Sequence, residues 1–137
     1  SPLLQPNIVS VFKELNKLKI KQFVLSASEQ SLLKKSIIYY RVGGFFSGIY
    51  GVDNLNAVGK EGAGKMLMET HSINPKETVV VGDTAYDYRV ASALGCGCVL
   101  VSFGHFEYSR LLFKGCATLR SVDELRSFLL SNKKTIL

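Results

Sequence analysis

Two hydrophobic periods alternate along the 137 residues, and this alternation limits the fold more than any single residue does. Ile8, Val11, Phe12, Leu15 and Leu18 recur at helical spacing, after which KQFVLS at 21–26 reads as a short buried strand. SEQSLLKKSIIYY returns to helix. FFSGIYG at 45–51 reads as a strand, and residues 60–72 as a helix stopped ahead of Pro75. TVVVGD is the clearest strand, three valines running into Gly-Asp. Tyr86, Val90, Ala93 and Leu94 then share one face of a helix that Gly95 ends. CVLVSFG is a further strand, and SVDELRSFLL a closing helix with Ser121 as N-cap and Glu124 completing a capping box. Strands alternating with helices in this way predict an α/β fold, a mainly parallel sheet with helices on both faces. No repeat, low-complexity tract or linker intervenes, so residues 1–137 are expected to form a single domain.

Composition narrows the class. With 47% apolar residues the chain can enclose one core, and no apolar run approaches the ~20 residues needed to cross a bilayer. The opening SPLLQPNIVS lacks the basic head and long apolar stretch of a secretory signal, so a soluble cytoplasmic protein is expected, with no membrane partner. A net charge of +6 could attract nucleic acid, but the lysines are scattered and alternate with apolar residues, as in LNKLKIKQF. That is the pattern of a solvated face. The aromatic residues sit mostly in apolar runs and offer no stacking platform, so no nucleic-acid partner is expected. Cys96, Cys98 and Cys116 make an odd set that fits a reducing compartment. GCGC at 95–98 is too closely spaced for a usual structural zinc pair and reads as small residues packed at a strand start.

Several stretches carry chemistry. NAVGKEGAGKML at 56–67 places Gly59, Gly64 and Lys65 at the spacing of a nucleotide-binding loop. Such a loop follows a strand and needs a hydroxyl after its lysine to reach Mg2+; here Met66 stands in that place, and DNLNAV precedes the glycine. The nucleotide-loop reading fails on both counts. In open parallel sheets, ligands gather outside the carboxyl ends of the strands. At one such end, FVLSAS, Ser26 offers its hydroxyl and the following backbone N–H groups to a phosphate oxygen, the alternative being a serine that caps the next helix, a task Ser28 could also perform. At another, VVVGDTAYD, Asp83 and Asp87 lie one helical turn apart and can share a face. Carboxylates so placed suit Mg2+, the alternative being that Asp83 or Thr84 merely caps the helix.

Taken together these stretches resemble the haloacid dehalogenase superfamily of phosphatases, over most of the chain. FVLSAS looks like the family's second motif, VVVGDTAYD like its fourth motif G-D-x-x-x-D, and the stretch from Lys60 to Asp83 like the helix and lysine of the third. The tail VSFGHFEYSRLLFKGCATLRSVDELRSFL looks like the phosphoglycolate phosphatase branch. The resemblance implies a three-layer, Rossmann-like core and a Mg2+-dependent phosphatase of a small phosphorylated metabolite, working through an aspartyl-phosphate. On that alignment Lys60, not Lys65, binds phosphate together with Ser26 and the Ala27 backbone; Lys60 and Ser26 act in catalysis. Asp83 and Asp87 would serve the metal, Asp87 by supporting its shell or by orienting Lys60. Neither His71 nor His105 makes a convincing base, and dehalogenase chemistry fits the trio Ser26, Lys60 and Asp83 less well. The alternative is an inactive remnant that binds phosphate or a protein partner.

The family's nucleophile belongs to a first motif, D-x-D-x-[TV], on a central strand between those of the second and fourth motifs. The sequence contains no such motif; Asp53 in YGVDNLN is the nearest candidate, and position 55 is Leu. Residues 1–20 look like the segment leading from a helical cap into the second-motif strand. A member without that strand and cap is expected to leave two strand edges unpaired, an association hazard. Three outcomes are expected for the gap: the segment is on another chain, it has been cut away, or the sheet has closed up.

Overall fold

The computed structural model describes residues 7–29, 43–52, 59–102 and 116–137. The first helix, α1 (Ile8–Lys17), buries Ile8, Val11 and Leu15, three positions of the expected stripe. Leu18, expected on that stripe, is instead half exposed, because the helix ends at Lys17 and Leu18 is its C-cap. Strand β1 (Phe23–Glu29) follows. The helix expected from SEQSLLKKSIIYY lies outside the described residues. Gly43–Phe45 forms a 3-10 turn, so β2 starts only at Gly48 and spans Gly48–Val52 rather than 45–51.

Helix α2 (Gly59–Thr70) buries Ala63, Leu67 and Met68, and Pro75 then opens a short 3-10 turn capped by Asn74. Strand β3 (Thr78–Gly82) leads into α3 (Ala85–Leu94), whose end is turned by Gly95 at a φ of 74°. The buried face of α3 is Asp87, Val90, Ala91 and Leu94; Ala93, expected there, is exposed, since Ala91 sits nearer the stripe of Val90 and Leu94. Strands β4 (Gly97–Val101) and β5 (Ala117–Leu119) precede α4 (Val122–Asn132). The Ser121 hydroxyl accepts from the Glu124 N–H, as a cap should, but the Glu124 carboxylate takes the N–H of Arg120 rather than that of Ser121. Only half of the expected capping box forms.

A last strand, β6 (Thr135–Ile136), had no counterpart in the sequence reading, and it decides the architecture. It pairs in parallel with β3, Thr78 opposite Thr135 and Val79 opposite Ile136. On its other side the Ile136 N–H donates to Lys21 O at 3.0 Å, and Gln22 bridges Ile136 in parallel. The chain's own β6 fills the amino-terminal start of the gap between the two strands, meeting Lys21 and Gln22 ahead of β1 on one side and β3 on the other, an outcome outside the three expected. The two hydrogen-bonded sheets, β1–β2 and β5–β4–β3–β6, meet through β6 in the lateral order β2, β1, β6, β3, β4, β5, every described pairing parallel.

Side chains alternate faces along each strand, so consecutive strand residues enter different cores. Val79 and Ile136 pack with Ile8, Val11, Leu15, Leu125 and Leu129 of α1 and α4. Val80 and Leu137 pack with Leu67, Met68, Val90 and Leu94 of α2 and α3. The result is three layers, as the sequence pattern implied, with helices on both faces of a parallel sheet.

Candidate phosphate site at the carboxyl ends of the strands

Where β3 stops, its backbone runs straight into a helix cap. Thr84 is the N-cap of α3: its hydroxyl accepts from the Asp87 N–H, while the Asp87 carboxylate reaches back to the Thr84 N–H, a complete capping box. Asp87 Oδ2 also accepts from the Asp83 N–H at 3.0 Å and from the Thr84 hydroxyl at 3.0 Å. Asp87 Oδ1 accepts from the Lys60 ammonium at 2.5 Å. Both oxygens of this buried carboxylate are thus engaged by the protein. Gly82 makes the arrangement sterically possible, because a Cβ there would lie 2.2 Å from Asp87 Cβ and 2.4 Å from its Oδ2. Sequence reasoning saw the pair of carboxylates but not why a glycine precedes them; Gly-Asp ahead of a capping Thr was the available signal.

Lys60 reaches the site from the first turn of α2. Gly59, at a φ of 65°, opens that helix beside it, and the Tyr86 hydroxyl donates to Glu61 Oε2 at 3.0 Å, tying the start of α2 to the start of α3. Desolvation, followed by the Glu61 carboxylate, pushes the Tyr86 phenol above its ordinary range. The remaining glycine-lysine residues have other tasks. Gly64 lets α2 approach α3, since a Cβ there would come within 2.7 Å of a Leu94 methyl, and Lys65 is exposed on the outer face. Of the two lysines in NAVGKEGAGKML, the structure brings Lys60 to the strand ends.

Ser26 sits at the carboxyl end of the next paired segment. Leu25 pairs with Tyr50 but Glu29 with Val52, so the register slips across Ser26–Ser28, and Ser28 lies within β1. Irregularities of this kind re-aim groups at the rim of a sheet. Ser26 follows Gln22 by the same number of residues as Asp83 follows Val79, and both Gln22 and Val79 are registered to Ile136. Ser26 and Asp83 therefore both lie toward the carboxyl end of the sheet, on either side of the β6 lane.

Other candidates fall away from this place or lie outside the described residues, as Asp53 and His105 do. His71 stands just past the carboxyl end of α2, its Nε2 at 2.9 Å from the Tyr50 hydroxyl and its ring edge-on to Phe23, a packing role. The cysteines are free thiols. Burial pushes Cys96 up to about 11 and raises Cys98 and Cys116 as well, so none is primed as a nucleophile. Among the described residues no group of three or more His, Cys, Asp or Glu could enclose a metal. What the strand end offers suits a cation that keeps most of its water: the carboxylate of Asp83, with Asp87 already committed to Lys60 and the cap.

Residues 3–101 match the family described as haloacid dehalogenase-like hydrolase. The chain belongs to that family. Phosphoglycolate phosphatase from Pseudomonas putida is 23% identical over 128 residues, covering 93% of this chain but 46% of the relative, so the chain spans about half the length of the curated relative it matches. A predicted phosphatase from Clostridium acetobutylicum superposes with a TM-score of 0.86 at 22% identity, over 92% of this chain and 59% of the other. The core domain of a protein provisionally assigned as a phosphoglycolate phosphatase, from Streptococcus pneumoniae, gives a TM-score of 0.72 at 16% identity, over 96% of this chain and 90% of that one. These structural likenesses establish the dehalogenase-like fold. Among the described residues no helix is long and apolar enough to cross a membrane.

Proposed function

We propose that this chain is the phosphate-binding part of a Mg2+-dependent phosphatase acting on a small phosphorylated metabolite, with phosphoglycolate the first substrate to try. One observation carries the reading: Lys60 is held against Asp87 at the carboxyl end of β3. An ammonium has three donors. Asp87 takes one and fixes the direction of the others toward the strand ends, where a phosphoryl group would also meet the Ser26 hydroxyl and the Ala27 N–H. Donors fixed in advance stabilise charge as it spreads over the phosphoryl oxygens in the transition state.

The family's chemistry then needs a carboxylate from the neighbouring lane. Its oxygen attacks phosphorus, the ester oxygen leaves and takes a proton, and water cleaves the aspartyl-phosphate, releasing inorganic phosphate and restoring the carboxylate. Asp83 is the residue to hold Mg2+, which when bound screens the negative charges that must approach one another. Asp87 is better suited to orienting Lys60 than to ligating metal, given its four hydrogen-bonding partners.

A second reading, a non-catalytic phosphate binder, is favoured by a specific fact. β6 fills the start of the lane between β3 and the residues leading into β1, where the family's nucleophile strand lies. The two readings separate in one experiment: inorganic phosphate binding by calorimetry and hydrolysis of an aryl phosphate, each with and without Mg2+, for the chain and for Lys60→Ala and Asp83→Asn. Phosphate binding lost in Lys60→Ala, with little or no turnover by the chain alone, is the expected result. A folded chain that binds no phosphate, or binds it equally well without Lys60, overturns the site.

A further inference from the structure

Lys60 serves phosphate best if its ammonium is already held in one place, and its own helix does little to ensure that. A lysine ammonium rides on a flexible four-carbon stem. Lys60 is also the second residue of α2, directly after Gly59 at a φ of 65°. The first N–H groups of a helix have no partner within it, and helix ends fray. Two neighbouring residues of α3 meet this turn. Asp87 takes the Lys60 ammonium at 2.5 Å, and the Tyr86 hydroxyl donates to Glu61 Oε2 at 3.0 Å. The same phenol oxygen lies beside the Lys60 backbone N–H, and 3.8 Å from where a Cβ would stand on Gly59. The Tyr86 ring rests on the core shared by α2 and α3, with the Arg89 guanidinium 5.8 Å from its centroid. Packing thus fixes the phenol before it meets α2.

Resting on the phosphatase reading above, we infer that Tyr86 is a positioning residue for Lys60, its phenol pinning the first turn of α2 so that the ammonium stays on Asp87. The phenol has no need to touch the anion. It acts on the backbone that carries Lys60, Asp87 acts on the head group, and the first turn of α3 supplies both. The pairs Lys60–Asp87 and Glu61–Tyr86 join consecutive residues of one helix to consecutive residues of the other. A single contact would leave a swivel, and the second removes it. A contact that served packing alone would add stability and nothing more. This one has a further consequence: releasing the phenol loosens the lysine head group, although no atom of Asp87 or of the ammonium has been changed.

The test compares the full chain with Tyr86→Phe, Glu61→Gln and Glu61→Ala. Tyr86→Phe keeps the ring and removes only the hydroxyl. Both Glu61 variants lack the charge, and only Gln keeps an oxygen that can accept from the phenol, so the difference between them isolates the acceptor. Readouts are NMR of the Lys60 ammonium, assigned by its absence in Lys60→Ala, inorganic phosphate affinity by calorimetry, and the denaturant midpoint. Tyr86→Phe and Glu61→Ala are expected to unfold cooperatively but to lose the Lys60 ammonium signal to faster proton exchange with water. Phosphate affinity should weaken on the order of fivefold, the weight of one hydrogen bond. Glu61→Gln should restore most of both. The inference is overturned if folded Tyr86→Phe keeps the wild-type Lys60 signal, whatever its phosphate affinity, if Glu61→Gln behaves as Glu61→Ala, or if the wild-type ammonium already exchanges fast. Should Tyr86→Phe fail to fold, the Glu61 pair decides on the same readouts. The ammonium signal is read without phosphate, so it judges this inference even if the wild-type chain binds none; that failure would strike the phosphatase reading instead.

Discussion

The two ends of this sheet are both rich in polar groups, yet their backbones present opposite charge. At the carboxyl end, α2, α3 and α4 begin; at the amino end, α1, α2 and α4 finish in left-handed turns at Lys19, Ser72 and Lys133. The amino end also has a cavity of about 430 Å³, bordered by Lys19, Lys21, Asn74, Lys133 and Lys134. By side-chain charge alone it is the better anion site. Backbone direction says otherwise: helix amino termini present N–H groups and partial positive charge, while carboxyl termini present carbonyls and partial negative charge. The lysines of the amino end offset those carbonyls, while at the other end a single lysine, fixed by Asp87, adds to a field already favourable to phosphate.

The comparison can be broken most sharply at Asp87. Asp87→Ala leaves the Lys60 ammonium and the Asp83 and Thr84 N–H groups without their acceptor in a buried place, and the expected loss is about 4 kcal/mol in denaturant unfolding. A wild-type midpoint would show that water replaces the carboxylate at no cost. Gly82→Ala is expected to cost about 3 kcal/mol by forcing the Asp87 carboxylate off the strand end, and to weaken phosphate binding with it. Thr84→Ala removes the cap hydroxyl for about 1 kcal/mol, and Thr84→Ser should restore most of it. The smallest effect belongs to the amino end. Replacing Lys19, Lys21, Lys133 and Lys134 together by Gln should leave phosphate affinity almost unchanged at physiological salt, where charges beyond about 8 Å are largely screened. A large fall in calorimetric affinity there would reverse the assignment of the two ends.

Much of the carboxyl-end site was legible because its signals are local. Valines in a run, a glycine and aspartate, a threonine and a second aspartate one turn on are read within ten or so positions, and β3, α3 and its cap appear where that spacing puts them. Lys60 was not legible in this sense. Nothing beside it in sequence marks it, and only the family alignment preferred it to Lys65; its partner lies across the fold, on another helix. Ala93 was misread for a related reason, since a stripe of alanines and leucines leaves the exact buried edge to the neighbouring element.

β6 is the extreme case. A strand of so few residues has no period to detect, and Lys-Lys-Thr-Ile-Leu could end a helix as readily as enter a sheet. Its place is fixed by β3 and by Lys21 and Gln22 ahead of β1, which pair with its backbone, and by the flanking cores, which accept Ile136 on one side and Leu137 on the other. The sequence by itself determined the alternation of strand and helix and the Thr84 and Ser121 caps. Only the tertiary structure decided which lysine faces the strand ends and which segment occupies the central lane, because pairing between distant segments depends on hydrogen-bonding edges and packing volumes that no local pattern records.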